Sequence, residues 1–327
     1  MTLDDWRSCV DPRAEAFDRL GGAYDVRVLE PSPPASTEPP AFADDPVARG
    51  EVTPGRTVVA PGTTGDVTWA TLSRGDPDLA QWCAARWLGP FRRLDRAPRG
   101  LAEAREAWHA AAEWVVAPAR HAATGKIGLR WTRGGFGTPF FANDRQVRVD
   151  GTDVVLVDDG TAHRAPLKSL RDAARFAGVA EAQSTGAYEP TTDWTDNDAL
   201  RIDPVAADFL GHWFGLGASV LEQLRVEASP SYASSRVQLW PEHFDLAVDM
   251  GNDSKGKRAN YGASPGDDFH AEPYFYVGPW SDVRPGDDGY WNEEFGASLP
   301  LSAFVDADNQ REMVLAFLRR GRELLDG

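Results

Sequence analysis

The chain has 327 residues, 42% of them hydrophobic and 12 of them tryptophan, which is enough apolar material for a large folded core. Its formal net charge of -16 at pH 7 argues against binding to nucleic acids or anionic membrane surfaces, because both require a cationic protein surface. No apolar run approaches the roughly 20 residues that span a bilayer. With two cysteines and no export signal at the start, we expect a soluble cytoplasmic protein.

The N-terminal segment, residues 1–65, is expected to be separate from the folded domain. Between residues 31 and 65 the prolines are too dense for a helix or a central strand, so this stretch is predicted to be an extended arm. Order is predicted to resume with a short strand at Val67, followed by a helix that Asp76 caps. Residues 66–327 are therefore expected to form a single α+β domain.

The first half of this domain shows helical patterns on either side of strand-like ones. Apolar residues at helical spacing predict a helix over about Leu101 to Ala117, which Pro118 either interrupts or kinks. Short apolar runs from 125 to 160 are separated by glycine and aspartate turns, which is typical of an antiparallel meander. A helix beginning near Pro166 closes this half, with Gly178 as its C-cap.

The second half follows the same order of elements. Asp203 is expected to cap a helix from Pro204 to Val226, strand-like segments follow at 237–250 and 272–280, and a helix ends the chain. The whole pattern predicts an α+β fold with a largely antiparallel β-sheet flanked by helices. Short matches such as GDPDLAQW with IDPVAADF suggest a repeat, which would divide the domain into two helix–sheet–helix lobes, 66–180 and 198–327.

Two histidines lie beside carboxylates in the strand-like segments of the second half. Alternation along PEHFDLAVD places His243 and Asp245 on one face of a strand, and alternation along FHAEPYFYV does the same for His270 and Glu272. If the two segments pair, two imidazoles and two carboxylates converge, which suits a divalent metal or general acid–base catalysis. The alternative is that these four residues are only part of the solvent-exposed polar face of an antiparallel sheet.

These four residues are the candidate catalytic and metal-binding residues. Further ligand contacts are expected from the loop between the two segments and from the aromatic residues near it, namely Arg258, Asn260, Tyr261, Tyr274 and Trp280. The letters GASPG match the nucleophile elbow of hydrolases, yet Pro265 follows Ser264 and has no N–H for an oxyanion hole. Ser264 is therefore interpreted as a turn residue.

The stretches VQLWPEHFDLAVD and GASPGDDFHAEPYFYVGPW resemble a family of bacterial proteins, common in actinobacteria, that is defined as a domain of unknown function. The resemblance rests on FDLA after an apolar strand, an SPGD turn and an EPYFYV strand followed by PW, and it covers roughly residues 100–327. It implies that this part of the chain is one unit. It implies no reaction and no catalytic residues.

Taken together, these patterns predict a protein that binds a small polar molecule, with or without a divalent metal, in a pocket lined by histidines and carboxylates. In an enzyme, His243 or His270 would act as the base. The alternative function is a non-catalytic module that docks another protein through its aromatic and acidic surface. The first hypothesis requires the four candidate side chains to surround a common point in a concave site.

Overall fold

The computed structural model describes residues 94–327, apart from 133, 140, 142–144, 159–160 and 197. The proline-rich arm, and the strand and helix predicted directly after it, lie outside the described residues. Helices and two five-stranded antiparallel sheets make up the described chain, which confirms the predicted α+β class. Across the described ranges, no helix combines the length and the apolar character that a membrane crossing needs.

Helices precede and follow each sheet along the described chain. They are α1 (Leu101–Ala111), α2 (Ala117–Thr124), α3 (Leu170–Ala177), α4 (Pro204–Glu227), α5 (Leu301–Phe304) and α6 (Gln310–Asp326). A π-helical stretch, Ala112–Val116, joins α1 to α2, so the helix is not interrupted at Pro118. Pro118 lies in the first turn of α2, a position where proline is tolerated in helices.

The helix boundaries follow from local capping. The Asp203 carboxylate accepts hydrogen bonds from the backbone N–H groups of Val205 and Ala206, which confirms the predicted start of α4. In contrast, Pro166 is the last residue of a strand, and α3 begins only after Ser169, whose hydroxyl caps it. Sequence reasoning placed that start too early because proline also favours a helix N-terminus.

The strands form two meanders in chain order. The first sheet contains β1 (Arg130–Thr132), β2 (Gly135–Gly137), β3 (Gln146–Asp150), β4 (Asp153–Asp158) and β5 (Thr161–Pro166), paired in that order. The second contains β6 (Gln238–Trp240), β7 (Asp245–Met250), β8 (Ala259–Ser264), β9 (Tyr274–Pro279) and β10 (Ala297–Pro300), also paired in order. All neighbouring strands are antiparallel, as the short turns between them require.

The two sheets meet edge to edge. Leu129, directly before β1, and Leu239 in β6 exchange two backbone hydrogen bonds of 2.7 and 2.9 Å. Helix α4 packs on strands of both sheets, and its glycines allow close contact: Gly211 lies against the backbone of Gly134, and Gly217 against Ala263. One hydrophobic core therefore extends across both halves. The division into two repeated lobes stays a prediction.

The second sheet has a core face and an outer face. On the core face, Phe275 of β9 packs on Trp213 of α4 with ring centroids 4.9 Å apart. Alternation directs Asp245 of β7, together with Tyr274 and Tyr276 of β9, to the opposite face. This outer face carries the candidate site.

Candidate functional site

The segment between β6 and β7 is a turn, not part of a strand as predicted. Phe244 has a left-handed backbone with φ 51° and is buried between Phe136 and Phe214, whose ring centroids lie 5.2 and 5.3 Å from its own. Burial of this ring offsets the backbone strain. His243 is consequently exposed in the turn, and strand alternation begins only at Asp245.

The second predicted pair lies in the loop before β9, because the strand begins only after Pro273. The Nε2 atom of His270 is 2.9 Å from Glu293 Oε1. Glu272 accepts hydrogen bonds from the backbone N–H and the hydroxyl of Ser302, at 2.9 and 2.8 Å, in the first turn of α5. Glu272 therefore caps a helix, and His270 is engaged with Glu293 through a hydrogen bond between loop residues.

The four candidate residues thus do not surround a common point. Three of them lie outside the strands, so the predicted alternation does not bring their side chains together. Within the residues that the structure describes, no three histidine, cysteine or carboxylate side chains are placed to hold a metal ion. The predicted metal site is therefore corrected: its residues are present, but they are distributed over a turn, a strand and a loop.

The predicted ligand-contact residues are also divided. Tyr261 faces the core and is 1% exposed. Arg258 pairs with Asp249 and lies over the ring of Trp280, with its guanidinium carbon 5.0 Å from the ring centroid. Asn260 accepts a hydrogen bond of 2.9 Å from the Trp280 indole N–H. Of this set, Asn260 and Tyr274 line a pocket.

This outer-face pocket has a volume of about 590 Å³ and lies between the second sheet, the 241–244 turn, α1 and the loop that precedes α4. It contains two of the four candidate residues, His243 and Asp245. Its lining is rich in carboxylates and aromatic rings, contributed by Glu106, Glu242, Asp245, Asp267, Asp268, Phe244, Phe269, Tyr274, Tyr276 and Phe295. Such a combination of a concave apolar wall and a few polar groups is typical of small-molecule sites.

A hydrogen bond across three strands forms the floor of the pocket. The Tyr276 hydroxyl of β9 donates to Asp245 Oδ2 of β7, and its ring passes over Gly262 of the intervening strand β8. A Cβ atom at Gly262 would lie 2.3 Å from that ring, so only glycine leaves room for it. Burial, reinforced by the charge of Asp245, raises the pKa of the Tyr276 hydroxyl, which keeps its proton on this bond.

Asp245 has one carboxylate oxygen without a hydrogen bond in the described part of the chain. The residue is 6% exposed, and its Oδ1 atom receives no hydrogen bond from the described residues. Burial raises the pKa of this carboxyl to about 6, and neighbouring Glu242 adds to the increase, while Tyr276 and His243 oppose it. Asp245 can therefore exchange a proton near neutral pH.

Asp267 is, in contrast, fully engaged as a carboxylate. It accepts hydrogen bonds from the hydroxyls of Tyr274 and Ser264 at 2.6 and 3.1 Å. The backbone N–H groups of Phe269 and His270 donate to its other oxygen at 2.9 and 3.1 Å. Ser264 is thus held at the end of β8 beside the SPGD turn, where it orients a carboxylate.

Helix α1, the π-helical stretch that follows it and the loop before α4 complete the wall of the pocket. His109 Nε2 lies 2.9 Å from the Pro241 carbonyl oxygen, and burial lowers the pKa of this imidazole. Glu113, which is fully buried, accepts hydrogen bonds of 2.9 and 2.8 Å from the backbone N–H groups of Thr191 and Thr192. It also accepts bonds from both threonine hydroxyls, so it fixes this loop at the pocket edge.

Sequence reasoning missed this wall, although one signal was present. Arg105, His109 and Glu113 recur at intervals of four in the alanine-rich run LAEAREAWHAAAEW, which places a polar stripe along one face of a helix. The partner of that stripe, the 191–192 loop, lies 78 residues away in the chain. Only tertiary packing reveals their contact.

No protein-family model, curated protein or solved structure matches this chain in the comparisons with known proteins. The resemblance of VQLWPEHFDLAVD and GASPGDDFHAEPYFYVGPW to an actinobacterial family therefore stays a prediction. The site has to be interpreted from its own geometry.

Proposed function

We propose that the protein binds a small polar molecule in the outer-face pocket, with Asp245 as the main recognition group. The observation that carries this proposal is the buried Oδ1 atom of Asp245, which lacks a donor among the described residues. A buried carboxylate oxygen without a hydrogen bond raises the free energy of the empty protein, and a ligand that supplies a donor removes that cost. A volume of about 590 Å³ suits a ligand of this kind.

The other polar groups of the pocket have supporting roles in this proposal. Glu242 Oε2 is also shielded without a partner in the described part, so it can accept a second hydrogen bond. His243 stands exposed at the rim, beside Asp245. If the bound molecule is converted, Asp245 is the group with a pKa suited to transfer a proton. We include no metal, since the ligands predicted for one are not assembled.

The proposal is tested by a ligand-observed NMR screen against amines, sugars and other alcohols, carboxylic acids and nucleosides. Gly278 lines the pocket, and a Cβ atom there would meet only Phe295 O at 3.8 Å, so Gly278→Leu is the variant chosen to place a side chain in the pocket volume. The matched control is Val205→Leu, an exposed change in the first turn of α4.

Compounds that bind the wild type and Val205→Leu but lose binding to Gly278→Leu would support the pocket as the site. We expect a loss of about tenfold or more, because the introduced side chain occupies the ligand volume. Binding that Gly278→Leu leaves unchanged, or no binding by any compound class, would overturn the proposal.

The second candidate function, docking of another protein, is favoured by two exposed aromatic residues that flank the pocket. Phe269 is 77% exposed and Trp280 is 54% exposed. This candidate predicts that the screen finds no compound in the pocket.

We also propose the cytoplasm as the compartment, on the ground that 2 cysteines in 327 residues are too few for a disulfide framework.

A further inference from the structure

The hydrogen-bond donors of the outer-face pocket are mostly used within the protein. The hydroxyls of Tyr276 and Tyr274 donate to Asp245 and Asp267, and the Ser264 hydroxyl also donates to Asp267. Each hydroxyl has a single proton, so these groups can only accept further hydrogen bonds. The pocket floor therefore offers a ligand acceptors rather than donors.

The donors on the pocket wall are used in the same way. Thr191 and Thr192 direct their hydroxyl protons to Glu113, and Arg105 directs Nε and Nη2 to Glu106 Oε1 at 3.3 and 3.0 Å. Arg105 Nη1 is an exception, because it is shielded without a partner in the described part and leaves its two N–H groups unused. The hydroxyl groups around the pocket thus contribute no free donor to a ligand.

The acceptors show the opposite imbalance. Asp245 Oδ1 and Glu242 Oε2 both lack a donor among the described residues, and both residues line the pocket. Asp245 is 6% exposed, so its carboxylate is largely removed from bulk water. The two carboxylates also repel each other, and the charge of Glu242 therefore disfavours ionisation of Asp245. A ligand that carried both a donor and a positive charge would relieve both costs.

An aromatic wall stands beside these carboxylates. The rings of Tyr274, Tyr276 and Phe295 have centroids 6.1 to 6.5 Å apart, and all three residues line the pocket. Aromatic faces attract cations through their quadrupoles, and they also pack on apolar groups next to a charge. We infer, on the basis of the proposed function, that the ligand is a cationic amine whose nitrogen binds at Asp245 and Glu242 against this wall.

The test uses pairs of probes that differ in charge: phenethylamine with phenethyl alcohol, cyclohexylamine with cyclohexanol, and choline with its neutral carbon isostere. Dissociation constants are measured calorimetrically near pH 7.5 for the wild type, Asp245→Asn and Asp268→Asn. Asp268 is an exposed pocket residue, so the control removes the same formal charge from the same pocket without removing the buried carboxylate. Circular dichroism confirms that each variant is folded.

We expect at least one amine to bind about tenfold or more tightly than its neutral partner, and Asp245→Asn to weaken that amine about tenfold or more. Asp268→Asn should weaken it less than about fivefold, because an exposed charge contributes little. Neutral probes that bind as well as the amines would overturn the inference and leave the proposed function standing. Amines that Asp245→Asn leaves unaffected would overturn the inference and also the recognition role that the proposed function gives to Asp245. Absence of binding by amines and by every class of the NMR screen would overturn both.

Discussion

The buried carboxyl of Asp245 opposes folding above its pKa. Its pKa is raised from 3.8 to about 6 in the folded protein, so the folded state binds the proton more tightly than the unfolded state does. The contribution of Asp245 to stability is therefore greatest below about pH 3.8 and is lost as the pH rises from there to about 6. The recognition role proposed for this residue therefore has a cost in stability, as at many binding sites.

Asp245→Asn is accordingly expected to stabilise the protein near neutral pH. The amide oxygen can still accept the Tyr276 hydroxyl, while the buried charge is gone. We expect the free energy of unfolding to increase by roughly 1 to 3 kcal/mol at about pH 7.5 and most of this gain to vanish at about pH 4. Urea unfolding at the two pH values measures it. An equal gain at both, or none at about pH 7.5, would contradict the role assigned to the charge.

Gly262 supplies a second prediction at this scale. Gly262→Ala should lower the free energy of unfolding by roughly 1 to 3 kcal/mol, because the new methyl group would overlap the Tyr276 ring. Gly278→Ala lies on the same face of the next strand, where a Cβ meets nothing closer than 3.8 Å, and should change it by less than about 0.5 kcal/mol. Urea unfolding measures the free energy of unfolding of both variants. Equal losses for Gly262→Ala and Gly278→Ala would show that Tyr276 is not fixed over Gly262.

Some of these residues could be found from the sequence and some could not. Asp245 and Tyr274 emerged because they occupy regular strand positions, where alternation holds. His243 was placed on the strand because nothing in the amino-acid sequence indicates that Phe244 adopts a left-handed backbone conformation. His270 and Glu272 were also placed on a strand, although the prolines at 265 and 273 bracket them and disfavour one.

At the scale of elements, the connection between α1 and the loop before α4 determines one side of the pocket. Glu113→Ala should lower the free energy of unfolding by roughly 3 to 5 kcal/mol, since it leaves the N–H and hydroxyl donors of Thr191 and Thr192 without their acceptor. The control Glu103→Ala, exposed on the same helix, should change it by less than about 0.5 kcal/mol. Urea unfolding measures both, and similar values for the two variants would mean that Glu113 does not hold the loop.

Element order was predictable, whereas element contacts were not. The meanders were visible because glycine and aspartate turns separate short apolar runs, and α4 because an aspartate precedes its first proline. The approach of α1 to the 241–244 turn was not, because the His109–Pro241 contact joins positions 132 residues apart. Contacts of this range depend on the packing of the whole core rather than on local pattern.

At the scale of the whole molecule, α4 and the Leu129–Leu239 bridge connect the two sheets through one core. We therefore expect amides of β3 and β4 to lose hydrogen-exchange protection at the same urea concentration as amides of β7 and β8. Exchange measured by mass spectrometry across a urea series tests this. Loss of protection in one sheet well before the other would instead favour two lobes, 66–180 and 198–327, that unfold independently.

The central proposal is that a small molecule binds at Asp245 in the outer-face pocket. The decisive measurement is a crystal structure of the protein soaked with the tightest-binding compound of the screen. We predict density for the compound beside Tyr276 and Phe295, with a ligand donor within about 3.2 Å of an Asp245 carboxylate oxygen. A compound bound elsewhere on the protein, or bound in the pocket without a hydrogen bond to Asp245, would contradict the account.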